Sequence, residues 1–182
     1  MNEGFKVERF TMEENSSEEL LRKSVEHIHY EIPMFRACVD FLRRFALKEA
    51  STYEEYVNWQ LYVEGLANHA RILYDFFYHE NREKDDILAK DFLNDTSRDL
   101  FKQKRTAKEN FKDVIIKCHK QLAHLTMARV TQYSLPQNKG WDSRGISSMM
   151  EITIQAFWEA LGDDKKEWFQ NYPIVLFENK LN

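Results

Sequence analysis

Glycine and proline are scarce, five and three in 182 residues. All-β folds use both in their many tight turns, so the shortage disfavours that class. Cysteine is scarcer still, with only two. There is no Cys-x-x-Cys pair, no Gly-rich phosphate loop and no Gly-x-Ser-x-Gly turn, which removes the commonest redox, nucleotide-loop and hydrolase signatures. No run approaches the roughly 18 apolar residues that a membrane-spanning helix needs. The first ten residues alternate charged and apolar types with no hydrophobic stretch, so no signal peptide is expected. A net charge of -4 and a pI near 5.9 argue against a surface coated by nucleic acid, while leaving room for a local basic patch.

What is present is apolar and aromatic: 43% hydrophobic and 14% aromatic residues, too much for a disordered chain. The apolar residues recur at helical spacing. Leu21, Val25, Ile28, Ile32, Phe35, Val39, Leu42 and Ala46 alternate steps of four and three, the pattern of a long bundle helix. Ser16 and Glu19 predict a capping box at its start. From Ser16 to Leu47 the helix would run about 48 Å, with Pro33 kinking it near His29 rather than ending it. Thr52 and Glu55 predict a second capping box, and Trp59, Val63, Leu66, Ala70, Leu73 and Phe77 a second stripe that stops near Glu80. Ile87 to Leu93 reads as a short helical piece over one end. A third helix, capped by Asp95 or Thr96 and open to interruption near Arg105-Thr106, carries Phe111, Ile115, Cys118, Leu122 and Leu125. After a loop marked by Pro136, Gly140 and Gly145, a fourth helix runs over 143–161, with Ile146, Met150, Phe157 and Leu161 on its face and Gly162 at its C′ position. Lys165 to Asn171 reads as a short helix. The expectation is an all-α, antiparallel bundle of four long helices with one or two short accessory helices. It forms a single domain over 1–182, with a polar arm at 1–15 and an apolar tail at 172–182. Cys38 and Cys118 fall on apolar stripes and are expected as reduced core residues of a cytoplasmic protein.

Four features could carry chemistry. On the second helix Glu64, Asn68, Arg71 and Asp75 form a polar line beside the apolar stripe, with His69 on a flank. It reads either as a structural ladder, with Arg71 and Asp75 paired at i,i+4, or as a half-buried site able to tune a proton affinity. Gly65 within this helix suits close approach of another helix or a ligand. On the third helix Lys120 and His124 lie one turn apart, and a histidine beside cations can act as general acid or base. Between Arg98 and Lys120 eight basic residues face three acidic ones, a stripe suited to phosphate or simply to solvent. Glu26 and His29 make one Glu-x-x-His pair, but a di-iron bundle needs two such pairs and further glutamates. His119 and His124, five apart, point to different sides. No metal site and no cofactor is therefore expected.

The segments Glu64-Gly65-Leu66-Ala67-Asn68-His69-Ala70-Arg71-Ile72-Leu73-Tyr74-Asp75-Phe76-Phe77 and Asp85-Asp86-Ile87-Leu88-Ala89-Lys90-Asp91-Phe92 resemble a pattern in a group of bacterial helical proteins. Lys120-Gln121-Leu122-Ala123-His124-Leu125-Thr126, closing with Arg129, resembles the late-helix segment of the same group and of HEPN-like domains, which include abortive-infection proteins. The likeness covers about 70 residues. HEPN domains are helical bundles, often dimeric; many are metal-independent RNases of phage-defence or toxin–antitoxin systems, and others only bind nucleotides or partners. The resemblance implies an RNA- or nucleotide-binding domain. His124 would be the catalytic residue, and Lys120, Arg129 and Arg71 would hold phosphate beside His69, Glu64 and Asp75. The active signature places an arginine four to six residues before the histidine, and that position here falls on Cys118 or His119. The implied endoribonuclease is accordingly weak or degenerate, because neither side chain offers the donor fork of a guanidinium. On this reading Lys108, Lys112, Lys117 and Lys120 face the same side as His124. The rival reading, of a different class, is a non-enzymatic interaction or homodimerisation module using apolar surface near Trp141, Trp158, Trp168 or the C-terminal tail.

Overall fold

The computed structural model describes residues 17–45, 51–80, 86–123, 127–132 and 140–172, and every regular element among them is helical. Helix α1 spans Ser17–Phe45 and α2 spans Tyr53–Tyr78. A 3₁₀ turn at Ala89–Phe92 leads into α3, Asp95–Lys104. A second 3₁₀ turn, Lys108–Phe111, leads into α4, Lys112–Lys117, which widens into a π-helical stretch over Cys118–Ala123. Helix α5 is Met127–Thr131, α6 is Ser143–Ala160 and α7 is Asp163–Trp168.

The first two stripes build what their spacing predicts. Pro33 sits inside an unbroken α1, so the missing N–H is tolerated within one helix. Every stripe residue from Val25 to Leu42 that was named is buried, as are Val63, Leu66, Ala70, Leu73 and Phe77 of α2. The two helices run antiparallel, since late residues of α1 meet early residues of α2. Phe41 stacks on Tyr62 with ring centroids 3.5 Å apart, and Glu31 meets His69 at 2.7 Å. Between these pairs lies Gly65, where a Cβ would stand 2.8 Å from Cys38 Sγ. The glycine is there because α1 comes too close for a side chain. Thr52 Oγ1 caps α2 by accepting from the Glu55 N–H, 3.1 Å, while Glu55 Oε2 accepts from Ser51 N and Oγ, both 2.7 Å. The return arm of the capping box therefore reaches one residue further back than the standard motif. The predicted Ser16 cap lies outside the described residues.

The third predicted helix is broken, and the reasons lie in its polar residues. Asn94, one residue before the expected caps, starts α3 by accepting from the Ser97 N–H at 2.9 Å. At Arg105 the backbone becomes extended. The Arg105 guanidinium donates to the Phe77 carbonyl at 2.5 Å and lies over the rings of Tyr78 and Phe101. It thereby satisfies a carbonyl left open by the end of α2. Buried Thr106 donates to the Met149 carbonyl, 2.8 Å, and its own carbonyl accepts from the Tyr78 hydroxyl, 2.7 Å. The Tyr78 hydroxyl also meets Thr153 Oγ1 at 2.8 Å. Each buried polar atom of this node has a partner that a continued helix would withdraw.

Helix α6 starts at an Asp142 cap and buries Ile146, Met150, Ile154 and Phe157. Gly162 does occupy the position after the C-cap, but with φ -66° and ψ 156°, so it extends the chain into α7 rather than closing a left-handed cap. Arg36 of α1 holds Glu151 of α6 in a two-pronged ion pair, 2.8 and 2.7 Å. The short segments close one end: Phe92 packs edge-on to Phe76, Phe157 and Trp168. Cys38 and Cys118 are both buried free thiols. Among the described residues no helix is long and apolar enough to cross a membrane.

Candidate functional site

The C-terminal half of α2 presents polar groups in two directions. Toward α1 stands His69. The sequence put it on a flank, but it is buried, and its Nδ1 lies 2.7 Å from Glu31 Oε2. A carboxylate only accepts, so the ring N–H donates. Nothing in the spacing of α2 alone identifies Glu31, because it lies on another helix. The pair could have been found only by phasing the α1 stripe against that of α2.

Toward the π-helical stretch stand Arg71 and Asp75, 3.7 Å apart and each about two-fifths exposed. His79 Nε2 approaches the other Asp75 oxygen at 3.2 Å. Burial pushes the Asp75 carboxyl above the usual carboxylate range; His79, Arg71 and His119 pull it back, and Asp86 adds to the push. Cys118, at the start of the wide turn, is buried and lies 3.5 Å from the Ala67 carbonyl. Burial drives its thiol up to about 11, against the smaller opposing pull of Arg71. Arg71, Asp75, His79, Cys118 and His119 thus form one electrostatic neighbourhood joining α2 to the segment that leads to His124. Cys118 is no phosphate ligand or nucleophile in that setting, because only the thiolate reacts.

The predicted line on α2 does not act as a unit. Glu64 and Asn68 are exposed and face solvent, and only Arg71 and Asp75 reach the site. Lys120 is exposed on the π-helical stretch. His124 lies outside the described residues, and so does any comparison of its position with His69. Arg129 falls within α5, but its side chain also lies outside what is described. The basic stripe is dispersed, because the helix expected to carry it is broken. Arg98 pairs with Asp95, Lys102 with Glu80, and Lys104 with Glu159. Arg105 turns inward, Lys117 donates to the Gly140 carbonyl and covers the Trp141 ring, and Lys108 points into a cleft elsewhere. Lys108 and Lys117 therefore do not share one face. The tryptophans of the rival reading are also spoken for: Trp141, Trp158 and Trp168 are partly buried and packed on the core.

The cleft holding Lys108 has a volume of about 840 Å³ and opens between α1, α2 and residues 86–88. Among the described residues no group of three or more His, Cys, Asp or Glu side chains is arranged to hold a metal ion. No protein-family model, no curated protein and no solved structure matches this chain.

Proposed function

We propose that the protein is a HEPN-like RNA- or nucleotide-binding domain with weak or degenerate metal-independent endoribonuclease activity. We read α1, α2, the divided third helix and α6 as an antiparallel four-helix bundle carrying it. The observation that supports this reading is the shared electrostatic neighbourhood of Arg71, Asp75 and His79 with His119. Those α2 residues and the segment ending in His124 are the two stretches on which the resemblance rests. The π-helical stretch just before His124 adds weight, because wide turns recur at functional sites. In this mechanism His124 moves the proton at the 2′-hydroxyl or the leaving oxygen. Arg71, Lys120 and Arg129 hold the phosphate, with Arg71 substituting for the absent arginine of the active signature.

The deciding experiment incubates purified protein with end-labelled tRNA and mixed RNA in EDTA, beside His124→Ala and Arg71→Ala. Cleavage lost in both variants supports the mechanism. Cleavage that survives His124→Ala refutes the role of that histidine. Binding without cleavage, weakening steeply with salt, leaves a degenerate RNA-binding domain; neither binding nor cleavage overturns the proposal and favours the interaction module. That second reading finds its support in α5, where Met127 and Val130 are 78% and 68% exposed, three residues apart on one helix.

A further inference from the structure

We propose that the cleft between α1, the C-terminal half of α2 and residues 86–88 binds a small hydrophobic organic cation, an amine carried on an apolar body. The floor is apolar: Ile28, Leu73, Phe76 and Leu88 are buried beneath it, and Ile87 is half-buried beside them. Ile72 stands at the mouth 39% exposed, a large aliphatic side chain with no packing partner over much of its surface. A volume of about 840 Å³ is within the range that accommodates small organic ligands, and apolar floors with a few convergent polar groups are how such sites are built.

The walls select the charge. Glu31, Asp75, Glu80 and Asp86 line the cleft, against Lys108 and the two histidines His27 and His79. With both histidines neutral the lining carries three negative charges more than positive ones, and with both protonated it still carries one. An anion is therefore disfavoured at any pH where the carboxylates are ionised, and phosphate-bearing ligands belong on the other side of α2. A cation gains from every wall. Glu31 is the best prepared of the four: buried His69 holds one of its oxygens, so the carboxylate is fixed before the ligand arrives and loses little freedom on binding. The apolar floor then separates an amine with a hydrophobic body from a bare inorganic cation, which would leave that surface uncovered.

Isothermal titration calorimetry of the full chain at neutral pH tests this with three probes sharing one ring system: tryptamine, its neutral alcohol analogue tryptophol, and anionic indole-3-propionate. The expected result is saturable single-site binding of tryptamine, binding weaker by about tenfold or more for tryptophol, and none for the anion. The double variant Glu80→Gln/Asp86→Asn changes two wall residues outside the core, and it should weaken tryptamine by roughly fivefold or more while the melting temperature holds. Absence of tryptamine binding overturns the proposal. So does equal binding of all three probes, which would show apolar adsorption alone, and so does unchanged affinity in the double variant. RNA enters none of these measurements, so the outcome is separable from that of the nuclease assay.

Discussion

The α1–α2 hairpin and the stretch from α3 to α5 are of similar length, and they obey different rules. In the hairpin an apolar residue recurs every three or four positions without a gap, and each helix runs 26 residues or more. In the second region Phe101 and Phe111 are buried, with nine residues between them. That gap contains Arg105 and Thr106, whose side chains have better partners elsewhere in the fold than along a helix axis. A continuous stripe makes helix continuation the cheapest way to bury apolar surface. Where the stripe lapses, specific polar contacts decide the path, and the chain breaks into α3, two turns and a widened α4.

This contrast can be broken from either side. The largest effect should come from Arg36→Ala, which leaves Glu151 in a half-buried position without its guanidinium. Removing one partner of such a pair costs about 3 kcal/mol, toward the low end of the buried-pair range because Glu151 keeps some contact with water. Urea titration should show the lost stability, and Arg36→Ala/Glu151→Ala should recover part of it. Next, Tyr78→Phe removes the hydroxyl shared by the Thr106 carbonyl and Thr153, and should cost about 2 kcal/mol. If the break at Arg105 depends on that node, hydrogen exchange should rise first in residues 105–111. An effect under about 0.5 kcal/mol would show that the break is set by Arg105 alone.

A comparable effect, confined to alkaline solution, is expected at Cys118. Its folded-state value is raised to about 11, so its contribution is whole below the unfolded thiol value and lost as pH climbs through the folded one. The loss should total on the order of 2 kcal/mol. Melting temperatures of the wild type should therefore fall faster between about pH 9 and 11 than those of Cys118→Ala. The smallest effect sharpens the hairpin side of the comparison. Gly65→Ala gains about 1 kcal/mol of helix propensity and loses somewhat more to the clash with Cys38 Sγ, so the net destabilisation should be about 1 kcal/mol. Gly65→Ala/Cys38→Ala should reverse its sign. If the single variant is already stabilising, α1 yields more readily than its packing implies.

The hairpin was legible because periodicity reports burial, and α1, α2 and α6 bury the residues their spacing names. Gly65 was legible for the same reason, as a gap in side-chain volume on an otherwise full face. Cys38 and Cys118 were readable as core positions. What was not legible depends on contacts between distant residues. His69 looked peripheral because its partner Glu31 sits on another helix. Arg36–Glu151 is separated by 115 positions. The basic stripe looked continuous because it was counted on a helix that does not continue. The extended backbone at Gly162 shows the same limit locally: glycine permits a left-handed cap without imposing one.

The wide turn over Cys118–Ala123 has a bearing on how such a chain could have come about. Each ring of a π-helix encloses one residue more than that of an α-helix, which is how a helix absorbs a single-residue insertion without unravelling. Everything after the insertion is rotated by about 100° relative to what precedes it. The phase set by Phe111 and Ile115 therefore does not carry through to α5. Excising one residue from the wide turn would restore an ordinary helix and swing the following side chains, His124 among them, around the axis. The chain thus carries a dial at this point: one codon sets which way its downstream residues look.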